Sequence, residues 1–501
     1  MHTECGIFSV MGTQVPKLFI EMGLQNIQHR GQDSYGLITY SPRTQEVTEI
    51  KEFGLIPSEF LHNTNSSYES GLIIGHTRYS TVCATLDKES IQPIALTNYE
   101  SAGELPVYIA FNGNIPDFLD NMRKHLDIQD VEGNSDTYLF KAIWQKMANN
   151  DYAKETGLEA LAIEFVRYCI NNIPGAYSCV LMVGDKLIGF RDRYGYKPLW
   201  CYTSDPESNS DLHGFISETC QLGAGNDNLT ICDYTLTEVP AGGYIILSHG
   251  EKPVSGVVID SPLHKLSKCS MESIYFMQDI SLIQYDNGDQ VSVWNTKYML
   301  GMRLAIEESM CGRDDKCLQI PTESCAVIHV PESSYPLAQA YASRRGYNFI
   351  PDTIKKIYNI RSFIESTTEA RVGKIKRKFQ FDFDLIKRMT DVIIVDDSLV
   401  RGNTMRYIIE QLKSALPNIK IHIRIASPII KDKCWFGIDI SGRDELIWWQ
   451  SESNLESLQT NLGVNSIRYL SVDGLRSVLG KGHCTFCFGE VSDANRKTLA
   501  W

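Results

Sequence analysis

No stretch of the 501-residue sequence stays apolar over the ~18 residues needed to cross a bilayer, so a membrane span is not expected. The opening Met1-His2-Thr3-Glu4 has no basic region followed by a hydrophobic core, so no secretory signal is visible. Internal repeats and low-complexity segments are missing as well. Positive charge is in short supply: 48 Lys and Arg against 61 Asp and Glu give a net charge of −13, with a pI near 5.4. That balance argues against nucleic acid as the principal partner, although a local basic patch could still hold phosphate. Cysteine is not scarce, at 14, but the spacing is uneven and Cys169, Cys179 and Cys325 fall inside apolar runs. This argues against the disulfide framework of a secreted protein and for a reducing, cytoplasmic setting. The remaining composition, 43% hydrophobic and 22% charged, is that of ordinary globular chains, and the length allows roughly two to four domains.

The most informative stretch is Val392 to Thr404, V-I-I-V-D-D-S-L-V-R-G-N-T. The run Val392 to Val395 suits a strand buried on both faces of a parallel sheet. Asp396 and Asp397 follow at once, then a loop with Ser398, Arg401, Gly402, Asn403 and Thr404. The amphipathic segment Met405 to Leu416 predicts a helix ended by Pro417. Strand, acidic pair, small-residue loop and helix place a ligand at the carboxyl end of a parallel sheet, where loop N–H groups and the helix N-terminus receive phosphate. Taken bare, two Asp after an apolar run are an acidic βα turn of any α/β protein. The full string resembles the 5-phosphoribosyl-1-pyrophosphate (PRPP) motif of the phosphoribosyltransferases. That resemblance implies that Asp396 and Asp397 face the ribose hydroxyls and a metal. It implies that Ser398, Arg401, Gly402, Asn403 and Thr404 hold the 5′-phosphate.

The first half reads differently. Cys5 opens it in C-G-I-F-S-V. There follow Gln28-His29-Arg30-Gly31-Gln32-Asp33, then Gly75-His76-Thr77-Arg78 behind the apolar run Leu72 to Ile74. Phe111-Asn112-Gly113-Asn114 comes after Val107 to Ala110, and Ser135-Asp136-Thr137 leads into a helix. Pro174-Gly175-Ala176-Tyr177, Arg191-Asp192 and Ser217-Glu218 complete the set. Singly these are turns, caps and, for Cys5, a buried cysteine on an edge strand. In this order they resemble the glutaminase domain of the N-terminal nucleophile, class II glutamine amidotransferases, over residues 5–248. Amide hydrolysis needs a nucleophile, and a thiolate is the strongest that a side chain offers. The resemblance implies Cys5 as that nucleophile, with its own α-amine as base once residues 1–4 are removed as a propeptide. It implies Asn112 and the Gly113 N–H as the oxyanion hole. Arg78 would clamp the α-carboxylate of glutamine and Asp136 its α-ammonium; the plain alternative is an internal Arg78–Asp136 ion pair.

In residues 249–501, a helix is predicted near Asn295 to Glu308, and the strand Ala326 to Val330 runs through Pro331-Glu332-Ser333-Ser334 into a helix from Pro336 to Arg345. This resembles the pyrophosphate loop of the glutamine PRPP amidotransferases and narrows the family to them. The implied fold is an αββα-sandwich glutaminase domain followed by a type I phosphoribosyltransferase domain with a mostly parallel sheet. The implied reaction uses glutamine and PRPP to make 5-phosphoribosylamine, the first step of purine synthesis. Mg²⁺ would be bound by Ser334, Asp396 and Asp397. Purine nucleotides would act as effectors, and the assembly would be a homotetramer or homodimer. Lys355 to Ile364 resembles the lid over PRPP, while Lys374 to Lys378 reads equally as a solvated face. The tail C-T-F-C is on its own a redox pair or half a zinc site. With their surrounding strings, Cys269, Cys434, Cys484 and Cys487 resemble the ligands of a [4Fe–4S] cluster. The chain departs from the pattern at Asn403, at Met277-Gln278-Asp279-Ile280-Ser281, and at Ile357 and Ile360 in the lid. A divergent paralogue with another phosphosugar acceptor, or a regulatory PRPP- or nucleotide-binding protein with weak turnover, is the alternative.

Overall fold

The computed structural model describes residues 5–61, 66–79, 88–97, 105–115, 136–149, 157–205, 207, 210–222, 233–259, 267–310, 320–357, 379–438 and 442–490. The leader 1–4, residues 358–364 of the lid and the basic run 374–378 lie outside them. The chain forms two units: one is Met1–Cys269 with Cys434–Asp439 and Asp493–Trp501, the other Ser270–Lys433 with Ile440–Ser492. No helix among the described residues is long and apolar enough to cross a membrane.

The first unit is four layers deep. Strands β1 (Gly6–Pro16), β2 (Ser34–Ser41), β3 (Glu46–Phe53), β4 (Ser67–Arg78), β9 (Trp200–Ser204), β10 (His213–Ile216) and β11 (Tyr234–Glu238) make a seven-stranded sheet in the order β11-β9-β10-β1-β4-β2-β3. A six-stranded sheet runs β13-β12-β8-β7-β6-β5, from β5 (Ile94–Ala95), β6 (Val107–Asn114), β7 (Ala176–Val183), β8 (Lys186–Arg191), β12 (Gly243–Ser248) and β13 (Val254–Val257). The two-residue alternation of β1 explains the layering. Ile7 and Met11 face inward, in one core with Tyr108, Ala110, Val180 and Met182 of the other sheet. Phe8 and Val10 face outward, toward Ile20 and Leu24 of helix α1 (Lys17–Gln25). On the far face of the second sheet, Phe140 and Trp144 of α2 (Thr137–Ala148) and Phe165 of α3 (Leu158–Asn172) pack on Phe111, Tyr177 and Phe190. β1 lies between β10 and β4 and is not an edge strand, so Cys5, half-buried just ahead of it, stands at the end of a central strand.

The second unit is built on five parallel strands: β14 (Cys325–His329), β15 (Asn348–Phe349), β16 (Asp391–Asp396), β17 (Lys420–Ile425) and β18 (Ser466–Tyr469), in the order β15-β14-β16-β17-β18. β16 is buried along its whole length, as its unbroken apolar run requires. Among the helices that accompany the sheet are α4 (Val293–Met310), α5 (Tyr335–Arg345) and α6 (Asn403–Ala415). Met405, Ile408, Ile409 and Leu412 of α6 are buried in the same core as Val392 and Ile394. Register pairs His329 with Val395 and Asp396 with Ile425, so the loops after β14 and β16 leave the sheet side by side.

Candidate active sites

In the first unit the sequence candidates gather around the amino end of β1. Arg30 Nε donates to the Cys5 carbonyl at 3.0 Å. Its Nη1 reaches Glu218 Oε1 at 2.6 Å, and both side chains are fully buried. His29 Nε2 meets the same carboxylate oxygen at 2.9 Å. Burial alone would raise the Glu218 carboxyl; His29 and Arg30 more than offset that and hold it well below the usual carboxylate range. The Cys5 backbone is thus held by an ion cluster whose members, His29-Arg30 and Glu218, come from two distant parts of the sequence.

Asn112 is buried near the end of β6, and its Nδ2 has no hydrogen-bond partner among the described residues. A buried donor left unmade costs about 1–3 kcal/mol, so it calls for an acceptor that arrives from outside. Its predecessor Phe111 is held on both sides: the N–H donates to Gln92 Oε1 at 2.6 Å, and the carbonyl meets His76 Nε2 at 3.0 Å. Burial lowers His76 to about 3, so the ring is neutral at ordinary pH. At Gly113 a Cβ would lie 2.2 Å from the Ala176 carbonyl oxygen, so no side chain fits there. Arg78, at the end of β4, donates to the Ser90 carbonyl (3.0 Å) and hydroxyl (2.8 Å). Asp136 accepts the Ile115 N–H at 3.2 Å, and burial raises its carboxyl to about 6. Among the described residues Arg78 and Asp136 form no ion pair with each other.

In the second unit the acidic pair ends β16, with Asp396 8% and Asp397 3% exposed. The Asp397 N–H donates to Asp396 Oδ1 at 2.9 Å. Ser398 Oγ donates to Asp397 Oδ1 at 2.6 Å, and Ser333 Oγ donates to Oδ2. Burial pushes the Asp397 carboxyl up, against these two hydroxyls and the charge of Lys297. Lys297 is itself buried and paired with Asp279 at 2.8 Å. The Tyr275 phenol is raised by burial and by both carboxylates, so it stands close to them. Ser334 is fully buried and its hydroxyl donates to the Val330 carbonyl, so within this turn the residue that reaches the acidic pair is Ser333.

Gly402 has φ of +76°, the left-handed region, and starts α6 without a side-chain cap. The first-turn N–H groups after it, at Asn403 and Thr404, keep the open-ended arrangement that suits an anion. Arg401 is held by Glu445, Nε to Oε2 at 2.6 Å, so it fastens the loop. In the described part of the lid, Lys355 pairs with Asp352 and Lys356 with Glu332. Among the described residues no group of three or more His, Cys, Asp or Glu side chains is placed to hold a metal ion. Cys434 Sγ accepts the N–H groups of Phe436 (3.3 Å) and Ile438 (3.4 Å), an environment that favours an electron-rich sulfur.

No protein-family model matches the chain. Among curated proteins, the amidophosphoribosyltransferase of Mus musculus is 31% identical over 497 residues, which is 95% of this chain and 89% of the mouse protein. This chain belongs to the amidophosphoribosyltransferase family. The Homo sapiens member is 30% identical over 96% of this chain and 90% of its own, and the Archaeoglobus fulgidus member 29% over 96% and 95%. Two solved structures share the fold. The B. subtilis glutamine PRPP amidotransferase complexed with ADP and GMP has a TM-score of 0.76 at 26% identity, covering 98% of this chain and 97% of that one. A structure described as the allosteric regulatory enzyme of purine biosynthesis has a TM-score of 0.78 at 25% identity, covering 98% and 96%. The chain is therefore an enzyme of this family, a glutamine amidotransferase joined to a phosphoribosyltransferase. The expected fold, an αββα glutaminase followed by a parallel-sheet phosphoribosyltransferase, is the one observed.

Sequence reading passed over several residues that the structure brings to these sites. Arg30 and Glu218 were visible only as turn and strand-end residues 188 positions apart. Gln92, Lys297 and Glu445 carried no motif of their own. For Ser333 the signal was present, since it neighbours the candidate Ser334, but the turn geometry decides which of the two points toward the carboxylates.

Proposed function

We propose that Cys5, Asn112 and Gly113 hydrolyse glutamine and that the loops after β14 and β16 deliver the ammonia to PRPP. The Cys5 thiolate attacks the side-chain amide carbon of glutamine. The tetrahedral oxyanion is received by Asn112 Nδ2 and the Gly113 N–H. The amide nitrogen takes the proton that the Cys5 α-amine removed from the thiol, the C–N bond breaks and neutral ammonia leaves; water then releases glutamate from the thioester and restores the thiol. Arg78 pairs with the substrate α-carboxylate and Asp136 with its α-ammonium. In the second unit ammonia attacks C1 of PRPP and pyrophosphate leaves, giving 5-phosphoribosylamine. The Asp396 and Asp397 carboxylates orient the ribose hydroxyls, while Ser398, Gly402, Asn403 and Thr404 enclose the 5′-phosphate. The single observation that carries the glutaminase half is the buried Asn112 Nδ2, without a hydrogen-bond partner among the described residues, on the sheet that packs against the one Cys5 leads into.

Two inorganic groups go with this reading. Mg²⁺ takes most of its ligands from water and substrate phosphates with one or two carboxylates. The paired Asp396 and Asp397 suit that donor set, and the ion would offset the charge of the leaving diphosphate. A [4Fe–4S] cluster would take Cys269, Cys434, Cys484 and Cys487. The two N–H groups on Cys434 Sγ fit a thiolate ligand, and its contribution would be to folding. The uneven spacing of the 14 cysteines, several inside apolar runs, supports a reducing, cytoplasmic compartment. Purine nucleotide effectors and a homo-oligomeric assembly complete the proposal.

The test is Cys5→Ala with mass analysis of the N-terminus. Active protein should begin at Cys5. The variant should lose glutamine-dependent product and keep the ammonia-dependent one. Full glutamine use by a chain that still begins at Met1 would sink the α-amine role.

A further inference from the structure

Between two parts of the second unit the chain makes a short excursion, Cys434–Asp439, that belongs to the first unit. Its described residues are fixed there in several ways. The Trp435 carbonyl accepts from Asn114 Nδ2 at 3.3 Å, across 321 positions of sequence. The buried Phe436 ring stacks on Tyr196, with centroids 4.1 Å apart and planes 16° apart. The Phe436 and Ile438 N–H groups close the turn onto Cys434 Sγ. Gly437 has φ of +96°, and a Cβ on it would lie 3.0 Å from Asn114 Cβ.

Asn114 is the last residue of β6, two places beyond Asn112 and in register with Ala176. Asn112–Gly113 therefore lies between two anchored points. Phe111 is held by Gln92 and His76, and Asn114 by a carbonyl from the distant excursion. A hole for a developing oxyanion works only if its donors are fixed to within about 0.5 Å. The Phe436–Tyr196 stack can hold the excursion without help from Asn114. Loss of the Asn114 donor should then disturb the strand and leave the docking in place.

We infer that Asn114 is a positioning residue for glutamine hydrolysis, and that the Trp435 carbonyl, by holding it, sets the turnover of the Asn112–Gly113 hole. The inference rests on the reading of Asn112 and Gly113 as that hole. Three variants of the full chain test it: Asn114→Ala, Gly437→Ala and, as a check on the underlying reading, Asn112→Ala. Glutaminase kcat and KM would be measured beside ammonia-dependent product formation.

Asn114→Ala should lower kcat with glutamine by about five- to ten-fold, the size of one hydrogen bond. KM for glutamine and the ammonia-dependent rate should stay at the parent values. Gly437→Ala, whose added methyl would meet Asn114 Cβ at 3.0 Å, should give the same split. An unchanged kcat in Asn114→Ala, a loss confined to KM, or equal losses with glutamine and ammonia would overturn the inference. If Asn112→Ala keeps the parent kcat, the oxyanion-hole reading itself fails. If only Asn112→Ala lowers it, the reading stands and the anchor falls.

Discussion

Glu218→Gln isolates the ion cluster under Cys5. The substitution keeps the shape of the side chain and removes its charge, leaving the buried Arg30 guanidinium without the Glu218 carboxylate. Both partners are fully shielded at 2.6 Å, so the cost should be that of breaking a buried pair, ~3–5 kcal/mol. A domain's whole stability is about 5–15 kcal/mol, so the change is large. The control is Glu69→Gln, which breaks the pair with Arg43; that pair is 3.0 Å long with side chains 74% and 64% exposed. Exposed pairs contribute about 0–1 kcal/mol, so this variant should unfold like the parent. The double variant Arg30→Met with Glu218→Gln removes both charges of the pair and should recover part of the lost stability. Glutaminase activity should not return, because the Cys5 carbonyl has then lost its Arg30 donor. Misplacing a reacting group by ~1 Å costs up to roughly 100-fold in rate. The assay is denaturant unfolding of each variant together with glutaminase kcat. Because the Glu218 carboxyl is held below its ordinary 4.5, its contribution is present above that pH and is lost as pH falls below it. Glu218→Gln should accordingly flatten the acid limb of the stability profile. Unfolding within ~1 kcal/mol of the parent, with glutaminase intact, would refute the argument, since no buried pair of this geometry should be so cheaply broken.

At the second site, Asp396→Asn or Asp397→Asn should reduce PRPP-dependent turnover on the order of 100-fold or more, about 3 kcal/mol, while basal glutaminase persists; unchanged PRPP kinetics in both would place the site elsewhere. Asp136 sits near 6, and only its ionised form can receive the substrate ammonium. KM for glutamine should therefore rise as pH falls through about 6, and Asp136→Asn should remove that limb; a flat KM profile in the parent would contradict the role. Anaerobically purified protein should be brown and carry about four irons per chain, and Cys434→Ser should lower yield and iron together. Colourless, iron-free, fully stable protein would reject the cluster.

The phosphoribosyltransferase site was readable because its parts are contiguous. A strand buried on both faces has to be an unbroken apolar run, and the acids, the loop and the helix start lie within 13 residues of it. β16 and α6 accordingly begin within two residues of the expected positions. β15, only Asn348–Phe349, has too few residues to show a pattern. The glutaminase site was legible as an ordered set of turns, but not the ion cluster beneath it. Arg30 and Glu218 lie far apart in sequence, and an isolated charged residue gives no sign that it will be buried. The same holds for Cys434–Asp439. Its cysteine is conspicuous, yet nothing in K-D-K-C-W-F-G-I-D indicates that the stretch joins the first unit. Local chemistry shows in a sequence, whereas long-range pairing of polar groups shows only after folding.

Asn112 is one of several buried polar groups of the first unit that have no hydrogen-bond partner among the described residues. Around β6 the backbone is well supplied: Phe111 is satisfied at both its N–H and its carbonyl, and the Asp192 carboxylate takes the N–H groups of Tyr177, Tyr194, Gly195 and Tyr196. Yet among the described residues Asn112 Nδ2 has no hydrogen-bond partner, nor have the hydroxyls of Thr77 and of Ser178, the residue opposite Asn112 on β7. Replacing a buried amide by an apolar group of the same shape is nearly neutral or stabilising. A chain shaped for stability alone would have no reason to keep Asn112. On the proposed role, Asn112 is stability given up for a donor aimed before the charge exists, and fixed dipoles of that kind stabilise an oxyanion without reorganising when it forms.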